Sequence, residues 1–396
     1  MCKYSTAMAR LTYVYHTDFD PSNAHGNQII HTCNALTRLG HNVTLLAAGN
    51  PHEYARANNL SIEFEVVHTG TTGKDTTSDR LRYYLSALFR SRSDDVLFTR
   101  DVSFLRVLAH LPSWVYPLTI YEAHKAYSGI GEIGSDEERN RVEAVDGVLT
   151  IARPIATDLE SLGISVDAVV PDAASASLVP DSDSERLEDK LAVESASVFV
   201  YAGSISAWKN DLELVIEGFS LIVDDVRAKL VVVGGTDDEI ADLREIAEEH
   251  GVENDVTFVG RVPQEDVFEY LAVSDVGFVP LRDSDRIASH YTSPLKLYEY
   301  LVCGLKVVAS DVPTIADVAV NDESIHLYEN ANVDDFADTS LNALDASISN
   351  PRETGAYEYT YERRADQIDE VISNLTNSWP EEITDESQNG RTKPRN

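Results

Sequence analysis

The stretch SVFVYAGSISAWKNDLELVIEGFSLIVDDVRAKLVVVGG (residues 197–235) decides the fold. Its first part, SVFVYAG (197–203), is predicted to be a buried strand that ends in glycine. A helix is predicted over KNDLELVIEGFSLIV (209–223), and AKLVVVGG (228–235) is predicted to be the next strand. Strands that alternate with helices predict a parallel sheet covered by helices on both faces.

The same alternation runs along the rest of the chain in two series. The first series has strand patterns at LTYVYH (11–16), NVTLLAA (42–48), IEFEVVHT (62–69), DVLFTR (95–100), LTIYEA (118–123) and GVLTIA (147–152). The second series includes 197–235 and continues with DVTFVG (255–260), DVGFVPL (275–281), LKVVAS (305–310) and SIHLYE (324–329). We therefore predict an α/β protein with two Rossmann-like domains, each a doubly wound parallel sheet.

The pattern breaks between the two series. VVPDAASASLVPDSDSERLEDK (169–190) has no apolar period and is rich in Pro, Ser, Ala and Asp, which is typical of a linker. A last helical pattern, YERRADQIDEVISNL (361–375), precedes a polar tail that we expect to be disordered. In chain order we predict an N-terminal Rossmann-like domain (1–172), a linker (173–192), a C-terminal Rossmann-like domain (193–355), a C-terminal helix (356–379) and a disordered tail (380–396).

The composition is that of a globular protein in water. The chain has 396 residues, of which 43% are hydrophobic and 25% charged. No apolar run reaches the roughly 18 residues that span a bilayer, and the first residues do not form an apolar signal-peptide core. The three cysteines are far apart, which argues against a disulfide framework or a zinc cluster. These features predict a cytoplasmic protein.

The net charge is unusual. The 32 Lys and Arg against 67 Asp and Glu give −35, and the acids are spread along the whole chain. Acidic residues spread in this way indicate an adaptation for solubility more than a binding surface for a partner. They predict a salt-rich cytoplasm, in which salt shortens the range of the repulsion between the negative charges. The charge also argues against binding of nucleic acid, because phosphate contacts need a basic surface.

In parallel sheets, ligands bind outside the carboxyl ends of the strands, so the loops after strands are the candidate sites. One such loop is YAGSISAWKN (201–210), where Gly203 allows close approach of the backbone and Lys209 offers a charge for phosphate. An ordinary strand–helix turn with a solvated lysine would give the same pattern. VVVGGTDDE (231–239) lacks GxGxxG and is predicted to be a capped structural turn.

A second candidate is HYTSPLKLYEYLVCG (290–304), a loop that runs into a helix. We predict Ser293 as the N-cap and Pro294 as the first helical residue, which would leave backbone N–H groups pointing at an anion. Glu299 would follow along the side of the same helix. Alternatively, Lys296 and Glu299 are three residues apart and would form a simple surface pair.

Two loops of the first series also carry candidate residues. IYEAHK (120–125) places Glu122 and His124 after a strand, where a histidine can exchange a proton or bind a hydroxyl group. PSNAHGNQ (21–28) places Gly26 at a helix start, where the backbone can approach an anion. A structural histidine and a simple turn are the alternatives.

Together these segments resemble the group 1, or family 4, glycosyltransferases. The order and spacing of the pieces make the resemblance specific over nearly the whole chain. The pieces are AHGNQIIHTCNALTRLGHNVTLL (24–46), TRD (99–101), YEAH (121–124), VVPD (169–172), YAGSISAWK (201–209), VTFVGRVP (256–263), SDVGFVPL (274–281) and SPLKLYEYLVCGLKVVAS (293–310).

The resemblance implies the GT-B fold, in which two Rossmann-like domains face each other across a cleft. It assigns acceptor binding to the N-terminal domain and nucleotide-sugar binding to the C-terminal domain, with the last helix crossing back to the N-terminal domain. The implied catalytic residues are His124, near the reacting centre, Lys209 and Glu299. The implied nucleotide-sugar contacts are Gly26, Gly203, Ser204, Lys209, Arg261, Val262, Thr292, Ser293, Pro294, Leu295, Lys296 and Glu299.

The sequence departs from the family pattern at three positions. Tyr291 stands where a glutamate that contacts the donor sugar is usual, eight residues before Glu299. Ser204 stands where an arginine is common, and Asn210 replaces a frequent glycine. Because Lys209, Lys296 and Glu299 are retained, we interpret the chain as a variant subgroup of the family.

The expected function is that of a retaining glycosyltransferase that moves a sugar from a nucleotide-sugar donor to an acceptor hydroxyl. The mechanism would be a front-side displacement without metal or other cofactor. A metal-dependent transferase is an alternative, because DFD (18–20), DSD (181–183) and DSD (283–285) fit an Asp-x-Asp pattern. A nucleotide-sugar epimerase and a non-catalytic nucleotide-sugar binder are further alternatives.

The expected partners follow from the resemblance. The donor would be a UDP- or GDP-sugar, and the acceptor a glycan, a glycolipid or a lipid-linked saccharide. Without a transmembrane segment, the protein would reach a lipid-linked acceptor by peripheral contact at the inner face of the membrane. The sequence shows no basic amphipathic helix for such contact.

Overall fold

The computed structural model divides the chain into two compact units. Unit 1 consists of Met1–Pro171 with Tyr361–Asn396, and unit 2 consists of Asp172–Thr360. The residues that the structure describes are 8–20, 25–74, 76–180, 196–205, 208–347 and 356–377. The predicted tail (380–396) and most of the predicted linker (181–192) lie outside these residues.

Unit 1 is built on a seven-stranded parallel sheet. Its strands are β1 (Arg10–Val14), β2 (Asn42–Ala47), β3 (Glu65–His68), β4 (Val96–Thr99), β5 (Leu118–Ala123), β6 (Gly147–Thr150) and β7 (Ala168–Val169). They lie in the order β3-β2-β1-β4-β5-β6-β7. The strand β4, VLFT, is buried along its whole length, as expected for a strand covered by helices on both faces.

The helices of unit 1 alternate with these strands. They are α1 (His25–Arg38), α2 (Pro51–Ala57), α3 (Thr77–Ser91), α4 (Val102–Leu108), α5 (Ser135–Val142) and α6 (Arg153–Ser161). The third strand is shorter than its sequence pattern, which begins at Ile62. The Asn34 side chain bonds the carbonyl of Ser61 and the N–H of Glu63, so this backbone does not join the sheet.

Unit 2 is built on a six-stranded parallel sheet. Its strands are β8 (Ser197–Ala202), β9 (Ala228–Val233), β10 (Val256–Gly260), β11 (Val276–Val279), β12 (Lys306–Ser310) and β13 (Ile325–Tyr328). They lie in the order β10-β9-β8-β11-β12-β13. The two sheets confirm the predicted α/β architecture.

Helices cover both faces of the second sheet. They are α7 (Leu212–Asp225), α8 (Asp237–Glu249), α9 (Gln264–Ala272), α10 (Arg286–His290), α11 (Leu295–Cys303), α12 (Pro313–Ala319) and α13 (Val333–Asp345). Side chains of β8 alternate between the two layers of the core: Phe199 packs on the side of α7, and Val200 packs on the side of α11. The predicted capped turn is confirmed, because Thr236 and Glu239 form a capping box at α8.

Helix α14 (Tyr361–Asn377) returns the chain to unit 1 and packs on α1. The His31 ring stacks on the Tyr361 ring with centroids 4.6 Å apart. The Arg364 guanidinium is buried and donates to the carboxylate of Glu122 at the end of β5. It also donates to the carbonyl of Val170 at 2.7 Å.

The Glu122–Arg364 pair is nearly inaccessible to solvent, with side-chain exposures of 1% and 2%. Burial alone would raise the pKa of the Glu122 carboxyl. The charge of Arg364 and the hydrogen bond from His124 outweigh burial and hold that pKa well below its usual range. Removal of one partner of such a pair leaves the other charge buried without compensation.

Among the described residues, none of the helices is long and apolar enough to cross a membrane.

We predict that Glu122→Gln lowers the free energy of unfolding by about 3–5 kcal/mol, because Arg364 is left buried without a counter-charge. The control is Glu63→Gln, which breaks the exposed pair with Arg38 and is expected to cost about 1 kcal/mol or less. Urea unfolding of both variants in one buffer measures the difference. Equal losses in the two variants would contradict a buried, structurally required pair.

Candidate functional site

The strand order of unit 2 places a crevice at the carboxyl ends of β8 and β11. The chain fills the sheet outward from β8 in one direction and from β11 in the other, so the loops after these two strands diverge. Ligands of doubly wound sheets bind at this switch point. The loop after β8 contains Gly203 and Lys209, and the segment that follows β11 leads to α11.

Lys296, in the first turn of α11, is held by neutral groups. Its ammonium donates to the Tyr201 hydroxyl at 2.8 Å and to Asn210 Oδ1 at 2.9 Å. It also lies 4.1 Å from the centroid of the Tyr201 ring. The Asn210 amide in turn donates to the carbonyl of Ser204 at 3.0 Å, which ties the lysine to the loop after β8. The alternative of a simple Lys296–Glu299 surface pair is therefore wrong.

Lys209 lies on the other side of the same loop. Its ammonium donates to the Thr292 hydroxyl at 2.8 Å. Thr292 is buried just before α11, and its carbonyl accepts a hydrogen bond from the Thr314 hydroxyl. Among the described residues, neither Lys209 nor Lys296 has a carboxylate within 4.0 Å.

Both lysines have lowered pKa values. Burial lowers the pKa of Lys209, and the charge of Asp172 offsets this in part. Burial also lowers the pKa of Lys296 well below its usual range, and the neighbouring charge of Lys209 lowers it further. An anion near both ammonium groups would stabilise their charged forms.

Gly203 and its neighbours show why the loop after β8 needs small residues. Gly203 has a φ of 141°, and a Cβ at this position would lie 3.1 Å from Lys296 Cε. A Cβ at Gly234 would lie 2.0 Å from the carbonyl oxygen of Gly203. The two loops therefore approach more closely than any side chain would allow.

The start of α11 differs from its prediction. The prediction that Ser293 caps the helix and Pro294 begins it is wrong, because Pro294 is the capping residue and Leu295 is the first helical residue. The Ser293 hydroxyl is engaged elsewhere: it accepts the N–H of Asp172 at 2.9 Å and donates to the Tyr298 hydroxyl at 3.2 Å. No side chain caps the first turn of α11.

Glu299 lies one turn beyond this helix start. Its carboxylate accepts a hydrogen bond from the Gln264 amide at 3.0 Å. Burial raises the pKa of Glu299, and the bond from Gln264 and the charge of Lys296 offset part of that rise. Gln264 begins α9, directly after the loop that carries Arg261 and Val262. That loop and Glu299 are therefore neighbours in unit 2.

Gly26 and His124 belong to unit 1. Gly26 is the second residue of α1, and a Cβ at this position would lie 2.4 Å from the Tyr54 ring. The Tyr54 hydroxyl accepts the N–H of Asn27 at 3.0 Å. A glycine is therefore required at position 26 because the Tyr54 ring of unit 1 packs directly against its backbone.

His124 is part of a closed ring of hydrogen bonds after β4 and β5. Arg100 donates to the side-chain oxygen Oε1 of Gln28 and, at 3.0 Å, to His124 Nδ1. Gln28 Nε2 donates to Glu122 Oε1 at 3.3 Å, and His124 Nε2 lies 2.5 Å from the same oxygen. Because a guanidinium only donates, His124 must accept at Nδ1 and carry its proton on Nε2. Both ring nitrogens therefore have protein partners.

Several of these residues were not predicted. Tyr201 and Asn210 hold Lys296, and Arg100 and Gln28 hold His124. The signal for Arg100 is its position directly after a buried strand, in TRD (99–101).

The structure describes two of the three Asp-x-Asp patterns, those at 18–20 and 283–285. Within the described residues, no group of three or more His, Cys, Asp or Glu side chains could hold a metal ion. Asp285 caps α10, accepting the N–H groups of Ile287 and Ala288 at 2.7 and 3.2 Å. The pattern at 181–183 lies outside the described residues.

Residues 196–346, which make up most of unit 2, match the family model for glycosyl transferases group 1. The chain is a glycosyltransferase. No curated protein sequence matches it. Solved structures that are similar to the glycosyltransferase along nearly the whole chain have low sequence identity and show the fold, which is GT-B.

Three such structures illustrate the similarity. HepE from Anabaena, in complex with UDP and glucose, is 17% identical with a TM-score of 0.65, covering 93% of this chain and 100% of that chain. Sucrose-phosphate synthase from Thermosynechococcus elongatus is 15% identical with a TM-score of 0.65, covering 94% and 100%. The lipopolysaccharide outer core galactosyltransferase WaaB is 13% identical with a TM-score of 0.66, covering 92% and 99%.

We predict that Lys296 makes the stability of the ligand-free glycosyltransferase depend on alkaline pH. Its pKa is lower in the folded than in the unfolded chain, so the unfolded chain binds more protons between the two values. The free energy of unfolding should therefore rise with pH in that window, up to the ordinary lysine pKa of about 10.4. In Lys296→Met the rise should be smaller.

Urea unfolding at a series of pH values from about 7 to 10 measures this slope. Lys229→Met is the matched control, because Lys229 pairs with Asp255 at 2.8 Å near the surface. The control should follow the unmodified protein. A Lys296→Met slope equal to that of the unmodified protein would rule out the lysine as its source.

Proposed function

We propose that the protein is a retaining glycosyltransferase that transfers a sugar from a nucleotide sugar to an acceptor hydroxyl, without a metal. The bond between the anomeric carbon and the diphosphate breaks, and the acceptor oxygen bonds to the same face of that carbon. The acceptor proton passes to the departing diphosphate oxygen. The products are the glycosylated acceptor and a nucleoside diphosphate.

The observation that carries this proposal is the pair of lysines at the switch point of unit 2. Within the part of the chain that the structure describes, Lys209 and Lys296 have only neutral hydrogen-bond partners, and their charges repel. A leaving diphosphate gains negative charge in the transition state. Preorganised cations at that position are usually the largest catalytic contribution. The uncapped first turn of α11 adds backbone N–H groups, including that of Leu295, and the preceding Thr292, Ser293 and Pro294 complete the phosphate contacts.

The remaining roles are proposed for the nucleoside and the reacting centre. Glu299 would accept hydrogen bonds from the ribose hydroxyls, with its carboxylate oriented by Gln264. The backbone at Arg261 and Val262 would contact the base. In unit 1, Gly26 would lie near the diphosphate and His124 near the donor sugar.

For the nucleotide, we propose uridine diphosphate. The support is HepE, whose structures contain UDP, UDP-glucose, or UDP with glucose. At the position of the usual sugar-contacting glutamate, Tyr291 is buried and its hydroxyl accepts from Arg286 Nε at 3.1 Å. This side chain cannot supply a carboxylate to the sugar, so the proposal leaves the sugar open.

We also propose a family, a class of acceptor and a cellular environment for the protein. The protein would belong to family 4, with the acceptor, a glycan, a glycolipid or a lipid-linked saccharide, bound by unit 1. It would work in a salt-rich cytoplasm, because a charge of −35 needs screening. A thermal-shift panel of UDP-, GDP- and ADP-sugars in molar KCl identifies the donor, since a ligand at 100 times its Kd stabilises by about 2.7 kcal/mol.

With the donor identified in this way, we predict that Lys209→Ala lowers kcat by about 10²–10³-fold, as removal of one transition-state hydrogen-bond donor does in other enzymes. The reason is that the leaving diphosphate loses one of its two cations. Release of the nucleoside diphosphate, with water or an acceptor pool, measures the rate. Lys229→Ala is the control and should leave kcat unchanged.

Near-normal turnover of Lys209→Ala would contradict the proposal. The same assay in excess EDTA tests the absence of a metal. Full activity excludes the metal-dependent alternative, and complete loss that Mg²⁺ restores would establish it.

We predict that Glu299→Gln weakens recognition of the ribose. The carboxylate accepts from both hydroxyls, whereas the amide donates at one atom, so the variant should lose discrimination against a 2′-deoxyribose donor. The ratio of kcat/KM for the ribose donor to that for its deoxy analogue should fall by about tenfold, the cost of one charged hydrogen bond.

Gln264→Ala is the companion variant, because it leaves the carboxylate in place and removes only its partner. It should lower the ratio less than Glu299→Gln does. An unchanged ratio in Glu299→Gln would place the ribose elsewhere.

A further inference from the structure

The segment between β11 and α11 holds an arginine against a tyrosine, directly before the proposed phosphate contacts. Arg286 is exposed, and its Nε donates to the Tyr291 hydroxyl at 3.1 Å. The guanidinium carbon of Arg286 lies 5.4 Å from the centroid of the Tyr291 ring, and Tyr291 itself is buried. The buried tyrosine therefore holds a cationic group in place at the surface of unit 2.

The direction of α11 relates this arginine to the donor, and in this respect the inference rests on the proposed function. There, Glu299 contacts the ribose, and the diphosphate lies at the start of the helix, one turn earlier. The sugar is bonded to the far end of the diphosphate, so we expect it beyond the helix start, on the side from which the chain enters α11. Tyr291 is on that side, next to Thr292, whose hydroxyl accepts from Lys209 at 2.8 Å. The tyrosine and Arg286 are therefore placed to contact the sugar.

His290 lies on the same side of α10 as Arg286. The two are the first and last residues of α10, four positions apart, so their side chains are neighbours on one face of the helix. The Ser289 hydroxyl, which has one proton, donates it to the carbonyl of Asp285 at 3.0 Å. It therefore accepts from His290 Nδ1, which lies 2.8 Å away, and the neutral ring has its acceptor at Nε2. A sugar hydroxyl can donate to that atom.

We propose that the donor is a uridine diphosphate hexuronic acid, whose sugar carboxylate binds Arg286. A guanidinium matches a carboxylate through two parallel N–H bonds, and such charged bonds are stronger than those between neutral groups. Tyr291 carries no charge, so it does not repel an acidic sugar, as a glutamate at this position would. His290 Nε2 accepts from a hydroxyl of the same sugar. The extra negative charge of this donor suits a site with three cationic side chains, Lys209, Lys296 and Arg286.

Equilibrium binding to the full chain tests the proposal, in about 1 M KCl to screen the acidic surface. The donors are two matched pairs, UDP-glucuronic acid with UDP-glucose and UDP-galacturonic acid with UDP-galactose, and UDP alone is the reference. In at least one pair the acidic donor should bind about tenfold or more tightly than the neutral one, because a charged hydrogen bond is gained. Arg286→Gln should abolish this preference and leave the Kd of UDP unchanged.

Two further variants show whether the position of the arginine matters. Arg244→Gln is the matched control, because Arg244 is also exposed and lies 5.8 Å from the centroid of an aromatic ring, that of Phe258, but belongs to α8. This control should keep the preference for the acidic donor. Tyr291→Phe removes only the hydroxyl that holds Arg286 Nε, so it should lower the preference less than Arg286→Gln does. Circular dichroism confirms that each variant is folded.

Two results would overturn this inference and leave the proposed function standing. One is binding of UDP without a preference for the acidic donor in either pair. The other is an Arg286→Gln variant that weakens the binding of UDP and of every donor equally, since Arg286 would then be a phosphate ligand. If UDP itself does not bind, the proposed nucleotide site fails together with this inference.

Discussion

The carboxylate of Glu122 is the point on which unit 1 depends. A buried carboxylate is tolerated only when its charge is matched and its oxygens are hydrogen-bonded, and here Arg364 supplies the charge. This ion pair, together with the packing of α14 on α1, holds α14 in unit 1. The opposite oxygen of the same carboxylate orients His124 and, through the ring of hydrogen bonds, Arg100. The Glu122 carboxylate therefore contacts both the closing helix of unit 1 and the loops that follow β4 and β5.

Unit 2 has the reverse balance. Its two half-buried lysines have neutral partners, and its carboxylate at Glu299 has an amide partner. In unit 1 the charge of Glu122 is matched by Arg364, whereas in unit 2, among the described residues, neither lysine has a carboxylate within 4.0 Å. This contrast supports the proposed division of work, in which unit 2 holds the charged donor. The same contrast is seen in the pKa values. The pKa of Glu122 is lowered, which favours its charged form, whereas the pKa of Lys296 is lowered and that of Glu299 is raised, which favours their neutral forms.

The fold could be predicted from the sequence because most strands of the two sheets are short, mainly apolar segments that alternate with helical patterns. The ends of the strands and helices are harder to predict from the sequence. The Asn34 side chain shortens β3, and no local pattern reveals a contact between residues that are 27 positions apart. At the start of α11, Ser-Pro predicts a cap, but the Ser293 hydroxyl bonds Asp172, which is 121 positions distant. The local preference was outweighed by a tertiary hydrogen bond.

The candidate site shows the same limit. Lys209, Lys296 and Glu299 could be proposed as site residues because each follows a strand or lies on a helix start with a familiar spacing. Tyr201 and Asn210 could not, because their role is to hold Lys296, which is 95 and 86 positions away.

Unit 1 is made of two separate segments of the chain, which affects the order in which the units can fold during synthesis. Unit 2 is one continuous segment, Asp172–Thr360, whereas unit 1 needs Tyr361–Asn377 to complete its core. During synthesis, Glu122 has no buried cation until Arg364 emerges 242 residues later. Unit 1 therefore waits, with an unmatched charge at the end of β5, until unit 2 has been translated. The closing helix makes the assembly of the first half of the protein depend on the completion of the second.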